Sequence, residues 1–206
     1  MTAPVADPWN AREIMTFKEG DPHENPWVAG KPKAEDISVE PHSPQWATLF
    51  GSQRDSIAQA LGGAALAIEH VGSTAVSGLP AKPVIDIDLI VNDPAEETYI
   101  PALAGIGYEL TVRERSWYQH RMLRLEHPRV NLHVFGPDCP EHIRHRLFRD
   151  WLRDHSEDRQ LYADAKWAAQ DGVKTADEYN RKKQDVVRQI YQRIFVSKAW
   201  LAPPRA

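Results

Sequence analysis

The chain has 206 residues, 42% of them hydrophobic, with a formal net charge of −4 and an isoelectric point near 6.1. That suits one globular domain with a proper core rather than two large ones, and the acidic balance argues against nucleic acid as the partner. The single cysteine, Cys139, excludes an intrachain disulfide and a cysteine-built zinc site; with no apolar stretch of membrane-spanning length and no leader-like start, it points to a soluble cytoplasmic protein without a membrane partner.

Residues 1–36 carry Pro4, Pro8, Pro22, Pro26 and Pro32 among glycines and charged groups, so regular structure is not expected there. Trp9, Ile14, Met15, Phe17 and Trp27 are more apolar than a solvated tail needs. This reads as an N-terminal arm lying across the domain or a neighbouring subunit, with a solvated leader as the alternative. The domain proper is placed at 37–198, followed by a short tail, 199–206. Ile37 to Val39 is expected to open it as a short strand. Ser43-Pro44 then starts a helix whose face of Trp46, Phe50, Ile57 and Leu61 runs to Gly62-Gly63.

The stretch from Ile68 to Val91, IEHVGSTAVSGLPAKPVIDIDLIV, holds the densest chemistry. A short apolar strand stops at Gly72-Ser73-Thr74, small residues whose backbone amides can approach an anion closely. After Gly78-Leu79-Pro80 and Lys82-Pro83 comes a second strand, Val84 to Val91, interrupted only by Asp86 and Asp88. Strand side chains alternate, so both carboxylates share one face. Side by side they repel, and unless something compensates one pKa rises; the usual compensation is a hard divalent cation, most often Mg²⁺ held together with substrate phosphates. The bland alternative is the wet face of an edge strand. A Gly-Ser turn followed about a dozen residues later by an Asp-x-Asp strand is, however, the layout that holds a triphosphate on backbone amides and its metal on carboxylates. Lys82 lies between the turn and the acids, near both.

Further along, a helix with Pro101 in its first turn crosses the sheet before Gly107. Strands are expected at Tyr108 to Val112, Trp117 to Leu125 and Val130 to Phe135, the last two joined as a hairpin through Glu126-His127-Pro128-Arg129. Helical spacing then predicts Pro140 to Asp154, a helix capped by Ser156, and a long helix opened by the capping box Thr175-Ala-Asp-Glu178. The pattern is α+β: a mixed, largely antiparallel sheet, helices packed on it, and a helical C-terminal half. That half must close over any ligand held by the acids, and Lys166, Lys182, Lys183, Arg181 and Arg188 are its candidate phosphate partners, weighed against a solvated helix face.

The string HVGSTAVSGLPAKPVIDI resembles the signature of the GrpB family, bacterial proteins assigned to the nucleotidyltransferase superfamily and in some organisms fused to a dephospho-CoA kinase domain. Pro44 to Phe50, Asn131 to Val134 (NLHV), Phe148-Arg149-Asp150, and the pairs Tyr162 with Lys166 and Tyr179 with Lys183 extend the resemblance over about Ile37 to Phe195. Ser77 departs from the proline more usual there, which touches loop stiffness more than chemistry. The resemblance implies a nucleotidyltransferase-like fold and raises Lys166 and Lys183 above the other helical cations.

A nucleotidyl-transfer site wants a third carboxylate on a neighbouring strand. Here the strand after the acids offers Asn131 and His133, with His133 as general base or ligand and Glu114 or Glu126 as replacements for the missing acid. The histidines of Glu141-His142-Ile-Arg-His145 lack the H-E-x-x-H order of a zinc site. The expectation is therefore a Mg²⁺-dependent nucleotide-binding protein that transfers a nucleotidyl group from a nucleoside triphosphate to a small-molecule acceptor. Asp86 and Asp88 would bind the metal, and Gly72, Ser73, Thr74, Lys82, Lys166 and Lys183 the phosphates. The alternatives are a catalytically silent nucleotide-binding or partner module and, because Arg113, Arg115, Arg121, Arg124 and Arg129 crowd the hairpin, an RNA-acting transferase.

Overall fold

A computed structural model describes residues 10–28, 30–31 and 37–202; Trp9, Pro4, Pro8, Pro32 and the end of the tail lie outside the described residues. Five strands form one sheet: β1 (Ala67–Val71), β2 (Ile85–Ile90), β3 (Glu109–Glu114), β4 (His120–Leu125) and β5 (Val130–Phe135). Their order is β1-β2-β5-β4-β3, and every pairing is antiparallel except β2 with β5. The β4–β5 hairpin turns where the sequence places it, with a cis His127–Pro128 bond.

Alternation along the strands gives the sheet two different faces. Ile85, Ile87 and Leu89 of β2 join Leu132 and Val134 of β5 and Leu123 of β4 in a core covered by α2 (Gln45–Leu61) through Trp46 and Ile57, and by α3 (Ile100–Ala104) through Leu103. Each such side chain contributes about 1.5–3 kcal/mol on burial, so this face fixes the register and thereby sends Asp86 and Asp88 to the other. Over that polar face lie α4 (Pro140–Asp154), α5 (Ser156–Ala169) and α6 (Ala176–Ser197). They build a second core from Ile143, Leu152, Tyr162, Ile190 and Ile194 with Val76 and Leu79 of the loop before β2. The capping box at α6 forms with a one-residue offset: the Thr175 hydroxyl accepts the Glu178 amide, while the Glu178 carboxylate reaches back to the Lys174 amide.

Two expectations need correction. Ile37 to Val39 is not a strand; the Val39 amide is taken by the Gln170 side chain, and only Glu40 makes a bridge, to Ala81. The arm, expected to lack regular structure, forms the short helix α1 (Ala11–Met15). Tertiary contacts override its composition: Ile14 is buried in the second core, and Arg144 donates to the Ile14 and Thr16 carbonyls at 2.8 and 3.2 Å. Among the described residues no helix is long and apolar enough to cross a membrane.

Candidate functional site

Between the polar face of the sheet, the helical half and the arm lies a cavity of about 940 Å³. Its floor is read from the register: Asp86 pairs with Asn131 and Asn131 with Arg124, while in the next row Asp88 pairs with His133 and His133 with Met122. The structure brings Gly72, Ser73, Thr74, Lys82, Asp86, His133, Lys166 and Lys183 around this one space. Arg181, Lys182 and Arg188 do not line it; Arg188 stacks on Phe17 of the arm instead.

The two acids differ. Asp86 is half-buried at the cavity wall and accepts a hydrogen bond from Asn131 Nδ2 at 3.0 Å. Asp88 is fully buried beneath it, its carboxylate meeting Nδ1 of His142 at 2.9 Å and Nδ1 of His145 at 3.0 Å. Burial alone would raise the Asp88 pKa, but the His145 charge and the hydrogen bonds from both imidazoles outweigh it and hold the carboxyl below its ordinary range. His145 mirrors this: burial opposes its protonation, yet Asp88 and Glu141 on its two sides raise its pKa well above the usual value. The repulsion inferred from the sequence is thus relieved on Asp88 by an imidazolium. Sequence reasoning weighed His142 and His145 only as a zinc pair; their spacing on one face of α4 was the available signal.

Gly72 also has an unexpected neighbour. It stands at φ +68°, and a Cβ there would come within 2.5 Å of the Asp86 Oδ2. The glycine makes room for the acid, where the sequence suggested room for a phosphate. Ser73–Ala75 form a 3-10 turn; the Thr74 hydroxyl donates to the Val84 carbonyl at 3.1 Å and so accepts from His70 Nε2 at 3.0 Å, which ties the turn to both flanking strands. Its side chain is therefore already committed. Burial, with Arg153 and Arg149 nearby, lowers the His70 pKa to about 4.

Above the acids the lysines converge. Lys183 Nζ donates to the Tyr162 hydroxyl at 3.0 Å and lies 5.0 Å from the Tyr179 ring centre; Lys82 Nζ lies 5.3 Å from that same ring. Lys166, 2% exposed, sits over Tyr162. Burial first, then Lys183 and Lys82, push its pKa well down, against the pull of Asp86. The buried Tyr179 hydroxyl and the buried Asn131 Oδ1 have no hydrogen-bond partner among the described residues, an expensive arrangement unless a ligand supplies one.

On the far side Glu114 meets His120 Nδ1 at 2.7 Å, and His120 Nε2 meets His133 Nδ1 at 3.0 Å. A carboxylate only accepts, so His120 donates through Nδ1; with both rings neutral it accepts from His133, leaving the His133 Nε2 with its lone pair. Burial, with His120 adding to it, lowers the His133 pKa to about 4. Glu114 lies on the far edge strand β3 and reaches His133 only through His120, while Glu126 is exposed in the hairpin turn.

Fold and site together define an α+β protein whose mixed sheet carries paired acids under a lysine-lined cavity. The family model described as GrpB protein matches residues 36–193, and the chain belongs to the GrpB family. It is 42% identical to a UPF0157 protein of Halalkalibacterium halodurans over 79% of this chain and 85% of that one. A UPF0157 protein of Streptomyces coelicolor is 38% identical over 81% and 88%. The crystal structure of conserved protein GrpB from Enterococcus faecalis superposes with a TM-score of 0.69 at 29% identity, covering 80% of this chain and all of that one.

Proposed function

We propose that the cavity binds a Mg²⁺-nucleoside triphosphate and transfers its nucleotidyl group to a hydroxyl of a small-molecule acceptor, the α–β phosphoanhydride bond breaking and pyrophosphate leaving, in the manner of a nucleotidyltransferase-like protein. The supporting observation is the convergence of Lys82, Lys166 and Lys183 on the two tyrosines opposite Asp86 and the Gly72-Ser73 turn. Burial and the neighbouring lysines disfavour the charged form of Lys166, and a phosphate chain is a partner that would favour it. Asp86 is the hard-oxygen donor that an Mg²⁺ ion would meet at the cavity wall, with Asp88 one layer deeper, and among the described residues no three His, Cys, Asp or Glu side chains converge on one metal position. The ion, when bound, would supply further charge neutralisation for the phosphates. On this reading Lys166 and Lys183 hold phosphate oxygens, and His133 Nε2 would accept a proton from an acceptor hydroxyl while Glu114 and His120 fix its tautomer.

A catalytically silent nucleotide-binding module is the second reading, favoured by Asp88, whose carboxylate is already engaged by two histidines. Both readings require nucleotide binding. Calorimetry with Mg²⁺ and each nucleoside triphosphate should show affinity in the wild type that drops at least about tenfold, roughly 1.4 kcal/mol, in Lys166→Met, Lys183→Met and Asp86→Asn. Equal affinities in all four proteins would overturn the proposal. A labelled nucleotidyl product formed by the wild type and not by His133→Ala would separate the enzyme from the silent module.

A further inference from the structure

Across the cavity floor the chemistry changes from strand to strand. One row of register partners runs Asp88, His133, Met122, Val112, Trp27. It passes from carboxylate through imidazole to thioether, aliphatic and indole. The indole belongs to the arm, which adds itself to the sheet edge: the Arg113 amide donates to the Pro26 carbonyl at 2.8 Å and the Val28 amide to the Thr111 carbonyl at 3.1 Å. Trp27, Val112 and Met122 all line the cavity. Neighbouring strands lie about 4.8 Å apart, so the apolar end begins roughly 10 Å from the acids, a distance a nucleotide covers between its phosphates and its base. Beside it Arg124, also a cavity residue, holds a buried Nε without a hydrogen-bond partner among the described residues.

We infer that Met122, Val112 and Trp27 form a platform for the nucleobase, with Arg124 donating to a ring or ribose heteroatom. This rests on the nucleotide reading above and adds to it which end of the ligand goes where, and that the arm is part of the binding site. An indole and a thioether offer flat, polarizable contact to any base, so the platform selects for an aromatic group more than for one base identity.

The test compares Mg²⁺-loaded ATP, GTP, CTP and UTP with Mg²⁺-loaded inorganic tripolyphosphate by calorimetry. At least one nucleotide should bind the wild type about tenfold or more tightly than tripolyphosphate, the scale of one base stacked on an aromatic ring. Trp27→Ala should erase that advantage while leaving tripolyphosphate affinity unchanged, Trp27→Phe should keep most of it, and Met122→Thr should lose part of it without touching the arm. Nucleotides that bind no better than tripolyphosphate, or a Trp27→Ala variant that weakens both alike, would overturn the platform and leave the phosphate site standing. If neither tripolyphosphate nor any nucleotide binds, the nucleotide reading falls and the platform falls with it.

Discussion

Gly72 and Asp86 occupy each other's space, and this makes them separable by mutation. A Cβ at position 72 would meet the Asp86 carboxylate at 2.5 Å, on a backbone of φ +68° that side chains rarely adopt. Gly72→Ala should therefore cost about 1–3 kcal/mol in urea unfolding. Adding Asp86→Ala should recover the part due to the carboxylate and leave the backbone strain with the 3.0 Å contact to the remaining Cβ. Simple additivity in the double mutant would show that the two do not touch. Asp88 and His145 give a second prediction with a defined pH window. The Asp88 pKa is depressed by folding, so its contribution is full above about pH 4 and fades as the pH falls below that. The His145 pKa is raised, so its contribution is full below about pH 6.5 and is lost as the pH climbs toward the folded value. The difference in unfolding free energy between wild type and His145→Gln should thus be greatest between pH 4 and 6.5, about 3 kcal/mol for a broken buried pair, and should shrink at higher pH. A flat difference from pH 5 to 9 would mean that His145 is uncharged. Asp88→Asn should likewise destabilise the protein, because it strands the imidazolium; two acids that merely repel would give the opposite sign.

Among the elements the arm and the hairpin repay comparison. If α1 is docked, Ile14→Ala should cost about 2–5 kcal/mol, as for a buried aliphatic in a core, and a change within 0.5 kcal/mol in chemical denaturation would mean a loose leader. The sequence announced the arm's apolar residues but not its helix, since its cap and turns come from Arg144, some 130 positions away. Where elements are fixed by their own pattern, reading and structure agree: β5 runs Val130–Phe135 and α4 runs Pro140–Asp154, both as spacing indicates. The site divides the same way. Gly72, Lys82, Asp86 and His133 could be placed near one another from strand alternation and loop length, and Lys166 and Lys183 from the family resemblance. The roles of His120, His142 and His145 could not, because each depends on a partner from another element. Nothing local marks a histidine as the counterion of a distant buried aspartate.

For the whole molecule the distribution of charge decides the partner. The net charge is −4, while the cavity gathers lysines. Of the five arginines that crowd the hairpin, Arg113 and Arg121 both close on Glu97, whose pKa falls to about 2 through hydrogen bonds from Arg113 first and Arg121 second, against its burial. Arg124 points into the cavity. An open basic stripe of the kind that follows a nucleic-acid backbone is thereby dismantled. Mobility-shift titrations with single-stranded RNA and tRNA at low salt should give no retained complex. Retention that weakens steeply with added salt would restore RNA as the substrate.

The parallel seam of β2 and β5 also sets when the protein becomes competent during its own synthesis. Asp86 and Asn131 are 45 positions apart in the chain, with α3, β3 and β4 between them, so the floor closes only after the β3-β4-β5 meander exists. Lys82 is made just before the acids, while Lys166 and Lys183 come later still, on α5 and α6. A nascent chain emerging from the ribosome holds Lys82 and the acids first, then a floor, and lastly Lys166 and Lys183. On the proposed reading, a chain halted before Lys183 offers a nucleotide no complete seat, so nucleotide binding would require that α6 has been made.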